Sequence, residues 1–502
     1  MKNLLELNAW ESLKDHFFNI KHIKMKDMFE YDENRCSKYS YELNDIFFDL
    51  SKNRINFDTT SYFVDLVKSL KIHLRINDLF NGNVLNNTED RAATHTSLRD
   101  FSDNVSSEIL SQRESLLNLV TEIRDSNKYD HVVQIGIGGS YLGPKMVNKA
   151  LSNYSDNNIS IDFISNVDDD SFEKLLDNLD TNRTLFIVAS KSLTTSETMY
   201  NYKKVLKYLN IESPNENFIC VTSKKQKALD IGFSEKNILL FDESIGGRYS
   251  LWSSIGITIA IKIGKENFLE FLKGAELADN HFRNEDDYFN NIPFILAFIN
   301  VWYRNFFDLR ARAVVPYSDK LVHLPEYLQQ LEMESLGKII DKNDEKVRYA
   351  TGNIIFGNRG TNSQHSFFQM LHQGVDIIPV DFVATAESNN KLLSNCFAQS
   401  RALMEGNSED IEESVAIEFF PGNIPSNTIL FNKITPSTLG TYLAIQEHKV
   451  FVQSVIWNIN PFDQFGVELG KKVAKEIEDE FENNSNNSFD SSTNTLIKKS
   501  QS

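Results

Sequence analysis

Several stretches of this sequence carry side chains suited to holding an anion and moving a proton. In Ser190–Thr198, SKSLTTSET, positions 190–196 hold five hydroxyl residues and one lysine. The stretch follows the apolar run Leu185–Ala189, and ligands of open α/β sheets bind at the C-terminal ends of such strands. Helix capping by Ser or Thr, with Glu197 in the first turn, accounts for some of these residues. A phosphate cradle accounts for the whole set. Upstream, Ile135–Pro144 reads IGIGGSYLGP. A buried strand runs there into glycines and a serine, which let backbone N–H groups approach an anion at a helix N-terminus. A plain strand–helix turn fits the same residues. A dinucleotide site does not, because the glycine spacing is not GxGxxG.

Proton transfer needs a carboxylate or imidazole near such a cradle. Leu328–Lys338, LQQLEMESLGK, follows Pro325 on a helix, and there Gln330 and Glu334 share a face. Glu334 is either a solvated carboxylate or a base, and a base needs partial burial. Ile245–Leu251, IGGRYSL, offers Arg248 after two glycines. An ordinary ion pair suits it as well as a guanidinium fixed against developing negative charge. Gly357–Gly374 contains His365 and His372. Two histidines with no carboxylates at ligand spacing make a poor metal site. His365, beside the loop, is the better candidate for chemistry, and His372 reads as structural. Lys471, in NPFDQFGVELGK, is either a surface cation or a sugar contact.

The elements that must position these residues change along the chain. Up to about residue 125 the pattern is helical, with no strand-like run. From His131 short apolar strands (His131–Ile137, Thr184–Ala189, Asn217–Val221, Asn237–Phe241) alternate with helices, Ser171–Leu179 and Thr198–Leu209 among them. This is the pattern of βαβ units and a parallel sheet. Glu266–Phe307 reads as helix joining two halves. A second series follows: Ala311–Tyr317, a helix from Pro325, Asn353–Phe356, a helix over Ser366–Gln373, and Asp376–Phe382. The expected divisions are a helical segment 1–125 packing on the second lobe, a smaller lobe 126–265, a larger lobe 266–470 and a C-terminal helix and tail 471–502. Glu482–Asn494, rich in Asn and Ser, reads as mobile, with Leu496–Ile497 able to re-anchor the tail.

Composition narrows the function. The 502 residues carry a net charge of −18, which argues against nucleic acid or an anionic membrane as partner. An anion must then be held by local donors and a few placed cations. Cys36, Cys220 and Cys396 lie far apart and suit a reducing compartment. The N-terminus lacks the apolar core of a signal peptide, and apolar runs such as Phe294–Trp302 are too short to span a bilayer. The expected location is cytoplasmic.

Taken together, IGIGGSYLGP, SKSLTTSET, GGRYSLWSSIG, MESLGK, GTNSQHSFFQMLHQG and FDQFGVELGK occur in the order found in the phosphoglucose isomerase family, which the sequence resembles from about residue 130 to 475. The resemblance implies two sugar-isomerase-type (SIS) α/β lobes, each a parallel sheet flanked by helices. It also implies a homodimer with shared active sites, and interconversion of glucose 6-phosphate and fructose 6-phosphate without cofactor or metal. Ser190, Lys191, Ser192 and Thr195 match the residues that hold the substrate phosphate, and Gly139 and Ser140 line that pocket. Glu334 matches the base that moves a proton between C2 and C1 through a cis-enediolate. Arg248 would stabilise the enediolate, with Gln330 and Gln464 as sugar contacts. His365, reaching from the partner subunit, and Lys471 match the ring-opening residues.

Leu336 stands where the family more often has Asn, Asn358-Arg359 where it has Glu-Pro, and Ser363 and Phe465 where it has Gly and Trp. Ser192 replaces a usual Thr and keeps the hydroxyl. None of these removes a residue with an implied chemical role. A sugar-phosphate-binding regulator on the same lobes is the alternative. It has no reason to retain Glu334, His365 and Lys471 together. Action mainly on mannose 6-phosphate is a second rival, which the sequence separates poorly. A signalling role outside the cell lacks an export signal.

Overall fold

The computed structural model describes every residue except 1–3, 157, 408–415, 484–488 and 502. Two compact units make up the chain, Met1–Pro461 and Phe462–Ser502.

The first unit holds two larger sheets. Strands β1 (Ser40–Leu43) and β2 (Ile46–Asp49) form an antiparallel hairpin, and β3 (Val84–Asn86) and β4 (Arg91–Ala92) pair by themselves. Strands β5 (His131–Ile135), β6 (Ser160–Ile164), β7 (Thr184–Ala189), β8 (Phe218–Thr222) and β9 (Ile238–Leu240) form an all-parallel sheet in the order β6-β5-β7-β8-β9. Strands β10 (Ala311–Tyr317), β11 (Ile354–Phe356), β12 (Val380–Thr385) and β13 (Ser426–Phe431) are also mutually parallel. The β1–β2 hairpin extends them antiparallel, giving β1-β2-β13-β12-β10-β11.

Strand β7 is fully buried and almost wholly apolar because helices cover both faces of a parallel sheet, whereas the fully buried β12 also carries Asp381. Val133, Phe186, Val188, Phe218 and Cys220 pack with Tyr202 and Val205 in one core. Val315, Tyr317, Phe382 and Cys396 anchor the other.

In both sheets the strand order reverses once. β5 sits between β6 and β7, and β10 sits between β11 and β12. Such a reversal splays neighbouring connections to opposite faces and opens a crevice at the strand C-termini.

Two long helices pack closely in this unit: α1 (Ile257–Asn284), kinked at Gly264, and α3 (Pro436–Ile456), with α2 (Ile292–Asn305) between them in sequence. Contact is backbone to backbone where glycines lie. A Cβ on Gly274 would fall 1.9 Å from the Ser437 carbonyl oxygen, and one on Gly440 2.0 Å from that of Phe271. α3 is buried along nearly its whole length, including the consecutive polar residues Gln446, Glu447, His448 and Lys449.

The structure corrects several element readings. The first 125 residues contain strands, and β2 joins the large sheet beside β13. Alternating burial in a four-residue strand such as Ile46–Asp49 is too short a signal to separate from helix. β6 and β13 were not anticipated. The strand expected at Asp376–Phe382 begins at Val380, and the helix expected over Ser366–Gln373 begins at Phe368, after a separate short helix Gly360–Gln364. The segment Glu266–Phe307 is two helices.

The second unit contains α4 (Glu468–Asn483) and α5 (Ser491–Ser500). Part of the stretch read as mobile, 484–488, lies outside the described residues. Its end is helical, capped by Asp490, which accepts from the N–H groups of Ser492 and Thr493. Ile497 is buried and Leu496 exposed.

Candidate active site

The hydroxyl-rich loop and the glycine turn stand side by side at the C-terminal ends of β7 and β5. The strands are paired Ile135 to Val188, and a Cβ on Gly136 would lie 3.0 Å from the Ala189 carbonyl oxygen. In the loop, the Ser190 Oγ accepts from Leu193 N–H at 3.1 Å and lies 3.4 Å from the Thr195 hydroxyl. Ser192 and Thr194 hydroxyls pair at 2.7 Å. Leu193 adopts a left-handed backbone, φ 51°, which turns the loop sharply. The Lys191 carbonyl is clamped by the hydroxyls of Thr222 (3.0 Å) and Ser223 (2.8 Å) from the end of β8. The Lys191 side chain is half-buried, and its pKa is lowered, first by burial and then by the like charge of Arg91. A lysine so placed sheds water readily when an anion arrives.

The glycine turn presses on the turn that carries Arg248. A Cβ on Gly139 would sit 1.9 Å from the Gly247 carbonyl oxygen, so only a glycine allows this approach. Gly138, with φ 59°, faces the Gln330 amide, 3.0 Å from where its Cβ would be. Ser140 contributes its carbonyl, which accepts from the Gln134 amide at 2.6 Å.

Arg248 lies on a 3-10 turn, Gly247–Trp252, and is buried. Its Nε donates to Ser335 Oγ at 2.6 Å, one terminal nitrogen donates to the Pro461 carbonyl at 2.5 Å, and the other lies 3.6 Å from the Glu334 carboxylate. Tyr249 reaches the same Ser335 hydroxyl at 3.0 Å. Gln330 and Glu334 sit on a π-helical turn, Gln329–Glu334, that continues the helix Leu324–Leu328. π-turns insert an extra residue per turn and concentrate at functional sites. Glu334 is half-buried. The geometry offers a carboxylate able to accept a proton and a fixed guanidinium able to meet negative charge that forms beside it.

The remaining expected residues lie on other elements. His365 is exposed at the end of Gly360–Gln364, and its imidazole makes no hydrogen bond or ion pair among the described residues. His372 hydrogen-bonds Gln399 at 2.8 Å, in keeping with a structural role. Gln464 and Lys471 belong to the second unit, where Lys471 is exposed and pairs with Glu468 at 3.0 Å. Among the described residues no three His, Cys, Asp or Glu side chains cluster to hold a metal, and no helix is long and apolar enough to cross a membrane.

Ser335, Thr222, Ser223 and Arg91 were not singled out from the sequence. Ser335 adjoins Glu334 and was within reach of inspection. The others lie at strand ends or in a short hairpin, and nothing local marks them.

The fold and site define a two-sheet α/β protein with a hydroxyl-and-lysine loop at a strand-end crevice and a carboxylate–guanidinium pair beside it. The phosphoglucose isomerase family model matches residues 49–497, and the chain belongs to that family. Glucose-6-phosphate isomerase of Christiangramia forsetii is 40% identical over 541 aligned residues, covering 99% of each chain. That of Campylobacter jejuni subsp. doylei is 40% identical over 99% of this chain and 98% of its own. Among solved structures, a glucose-6-phosphate isomerase from Chlamydia trachomatis superposes with a TM-score of 0.88 at 29% identity, covering all of both chains.

Proposed function

We infer that this chain interconverts glucose 6-phosphate and fructose 6-phosphate, a step of glycolysis and gluconeogenesis. The phosphate is held by Ser190, Lys191, Ser192 and Thr195, with Gly139 and Ser140 lining the pocket. His365 and Lys471 assist ring opening by moving the proton of the C1 or C2 hydroxyl to the ring oxygen. Glu334 then takes the proton from C2 of the open aldose, the electron pair forms the C1–C2 double bond, and the former carbonyl oxygen becomes an enediolate. As the O2 proton passes to O1 and the C2 carbonyl forms, the C1–C2 electron pair takes the proton back from Glu334 at C1, which gives the ketose. Arg248 meets the charge on the enediolate oxygens, and Gln330 and Gln464 orient the sugar.

The observation that carries this reading is the Glu334 carboxylate 3.6 Å from a buried guanidinium. One carboxylate suffices because the same proton leaves one carbon and joins its neighbour. Such general base assistance is worth roughly two to four orders of magnitude in rate. A regulator that only binds sugar phosphate gives no account of this pair. The exposed, unengaged His365 supports a homodimer in which this residue serves the partner's site. A cytoplasmic location suits a soluble substrate pair.

The test is conversion of fructose 6-phosphate to glucose 6-phosphate by the purified protein with chelator and no added cofactor, read by coupled glucose-6-phosphate dehydrogenase. Turnover is expected. A folded protein that binds the sugar phosphate without turning it over would be a regulator.

A further inference from the structure

The buried helix α3 carries Gln446, Glu447, His448 and Lys449 in succession, none of them part of the proposed chemistry and all buried. Four adjacent polar side chains inside a core carry a desolvation cost unless each is paired. Two of them are paired to the segments that carry Glu334 and Arg248.

Lys449 donates to the Glu332 carboxylate at 2.8 Å, and to the Gln446 side-chain carbonyl at 2.5 Å. Glu332 lies on the π-turn two residues before Glu334, and the same oxygen accepts from Arg312 of β10 at 2.5 Å. Arg312 also pairs with Asp381 of β12, which accepts from Asn427 of β13 at 2.7 Å. The π-turn is thus tied both to three neighbouring strands and to α3.

Glu447 faces the other segment. One carboxylate oxygen accepts from Trp252 Nε1 at 2.8 Å and the other from Arg99 at 2.5 Å. Trp252 ends the 3-10 turn that begins at Gly247 and bears Arg248. Arg99 is held in turn by both oxygens of Asp279, at 2.7 and 2.8 Å, and lies over the Trp252 ring.

We propose that Glu447 and Lys449 are positioning residues, through which one rigid buried helix sets the separation between Glu334 and Arg248. The inference rests on the roles proposed for that pair. A helix two residues apart in its grips, on Trp252 and on Glu332, cannot let one segment slide without dragging its own backbone. The Ser335 hydroxyl ties the two turns directly through Arg248 and Tyr249; the grips on Trp252 and Glu332 hold each turn from a second side, and a misplacement of about 1 Å can cost as much as ~100-fold in rate.

The test uses two variants. Glu332→Gln/Lys449→Met removes one negative and one positive charge and leaves Arg312 with Asp381, so no buried charge is stranded. Trp252→Phe removes the Nε1 donor and keeps a ring for Arg99. Cooperative urea unfolding identifies the folded variants. The expected result is a kcat lower by roughly 10- to 100-fold with KM within about threefold. Binding of 5-phosphoarabinonate, whose planar carboxylate mimics the enediolate, should weaken in parallel. Binding of glucitol 6-phosphate, which has no planar centre, should be retained. Wild-type kcat in either folded variant overturns the corresponding arm. Equal loss of both analogues overturns the inference, because it reports collapse of the pocket. Failure of the underlying reading shows separately, as an active Glu334→Gln; an inactive Glu334→Gln beside fully active positioning variants sinks the positioning inference alone.

Discussion

Arg248 and Glu334 form an asymmetric pair: the guanidinium side chain is 2% exposed and the carboxylate 22% exposed, with 3.6 Å between them. The cation is immobilised by Ser335 and Pro461, and the anion keeps an open side. A base that must touch substrate needs such access, and a charge stabiliser gains most where water is excluded.

Glu334→Gln is expected to fold and to bind the substrate phosphate while losing turnover by about 10²- to 10⁴-fold. The coupled assay and calorimetric binding of glucitol 6-phosphate measure the two effects. Near-native activity would overturn the assignment of the base.

Arg248→Lys should lower kcat by about 10²-fold, despite keeping the charge. Lysine cannot reproduce donation to both Ser335 and Pro461 together with the ion pair to Glu334, which one planar guanidinium supplies. A kcat within threefold of native would show that charge alone matters there.

At Gly139 the added methyl of Gly139→Ala would lie 1.9 Å from the Gly247 carbonyl oxygen. The two turns must part, at a stability cost of about 1–3 kcal/mol. Urea midpoints and kcat should both fall. Alanine at Gly247 meets nothing within 4 Å and is the control for side-chain bulk.

Acid should destabilise the fold through its buried and half-buried histidines. Burial lowers the pKa of His16, His95 and His281 below the usual value. Between those lowered values and about 6.5 the unfolded chain holds protons that the folded one lacks. Stability from these groups is therefore present above pH 6.5 and is lost as pH falls through the folded values. The slope reaches about 1.4 kcal/mol per pH unit for each such histidine. Urea unfolding between pH 7.5 and 5.5 measures it. Stability that rises on acidification through this range would contradict the assignment.

Mixing Glu334→Gln dimers with His365→Ala dimers should restore part of the activity once subunits exchange, if His365 serves the partner's site. Statistical exchange yields one site per heterodimer with both groups intact. No recovery after exchange verified by native mass spectrometry would place each site within one chain.

Much of the architecture was legible without coordinates. β7 and β10 were located to the residue because a strand buried on both faces reads as an unbroken apolar run between turn residues. The SKSLTTSET loop announced itself by composition, and Gln330 and Glu334 by a spacing that keeps both on one side of a helical turn. The hairpin β1–β2 did not, because four-residue strands owe their existence to the edge of β13 and not to their own pattern.

Residue order is enough to establish which groups are present: a hydroxyl-and-lysine loop after a strand, a carboxylate with a glutamine four residues before it, an arginine behind two glycines. Local chemistry suffices for that, since residue types and short spacings are properties of the chain. Folding is what brings Arg248 to face Glu334, lays Gly139 on Gly247, and lets Glu447 and Lys449 reach the two turns from a third element. Those pairs are 86, 108 and more than 100 residues apart in sequence. Their meeting depends on how two sheets and two crossing helices pack, and packing is a property of the whole core.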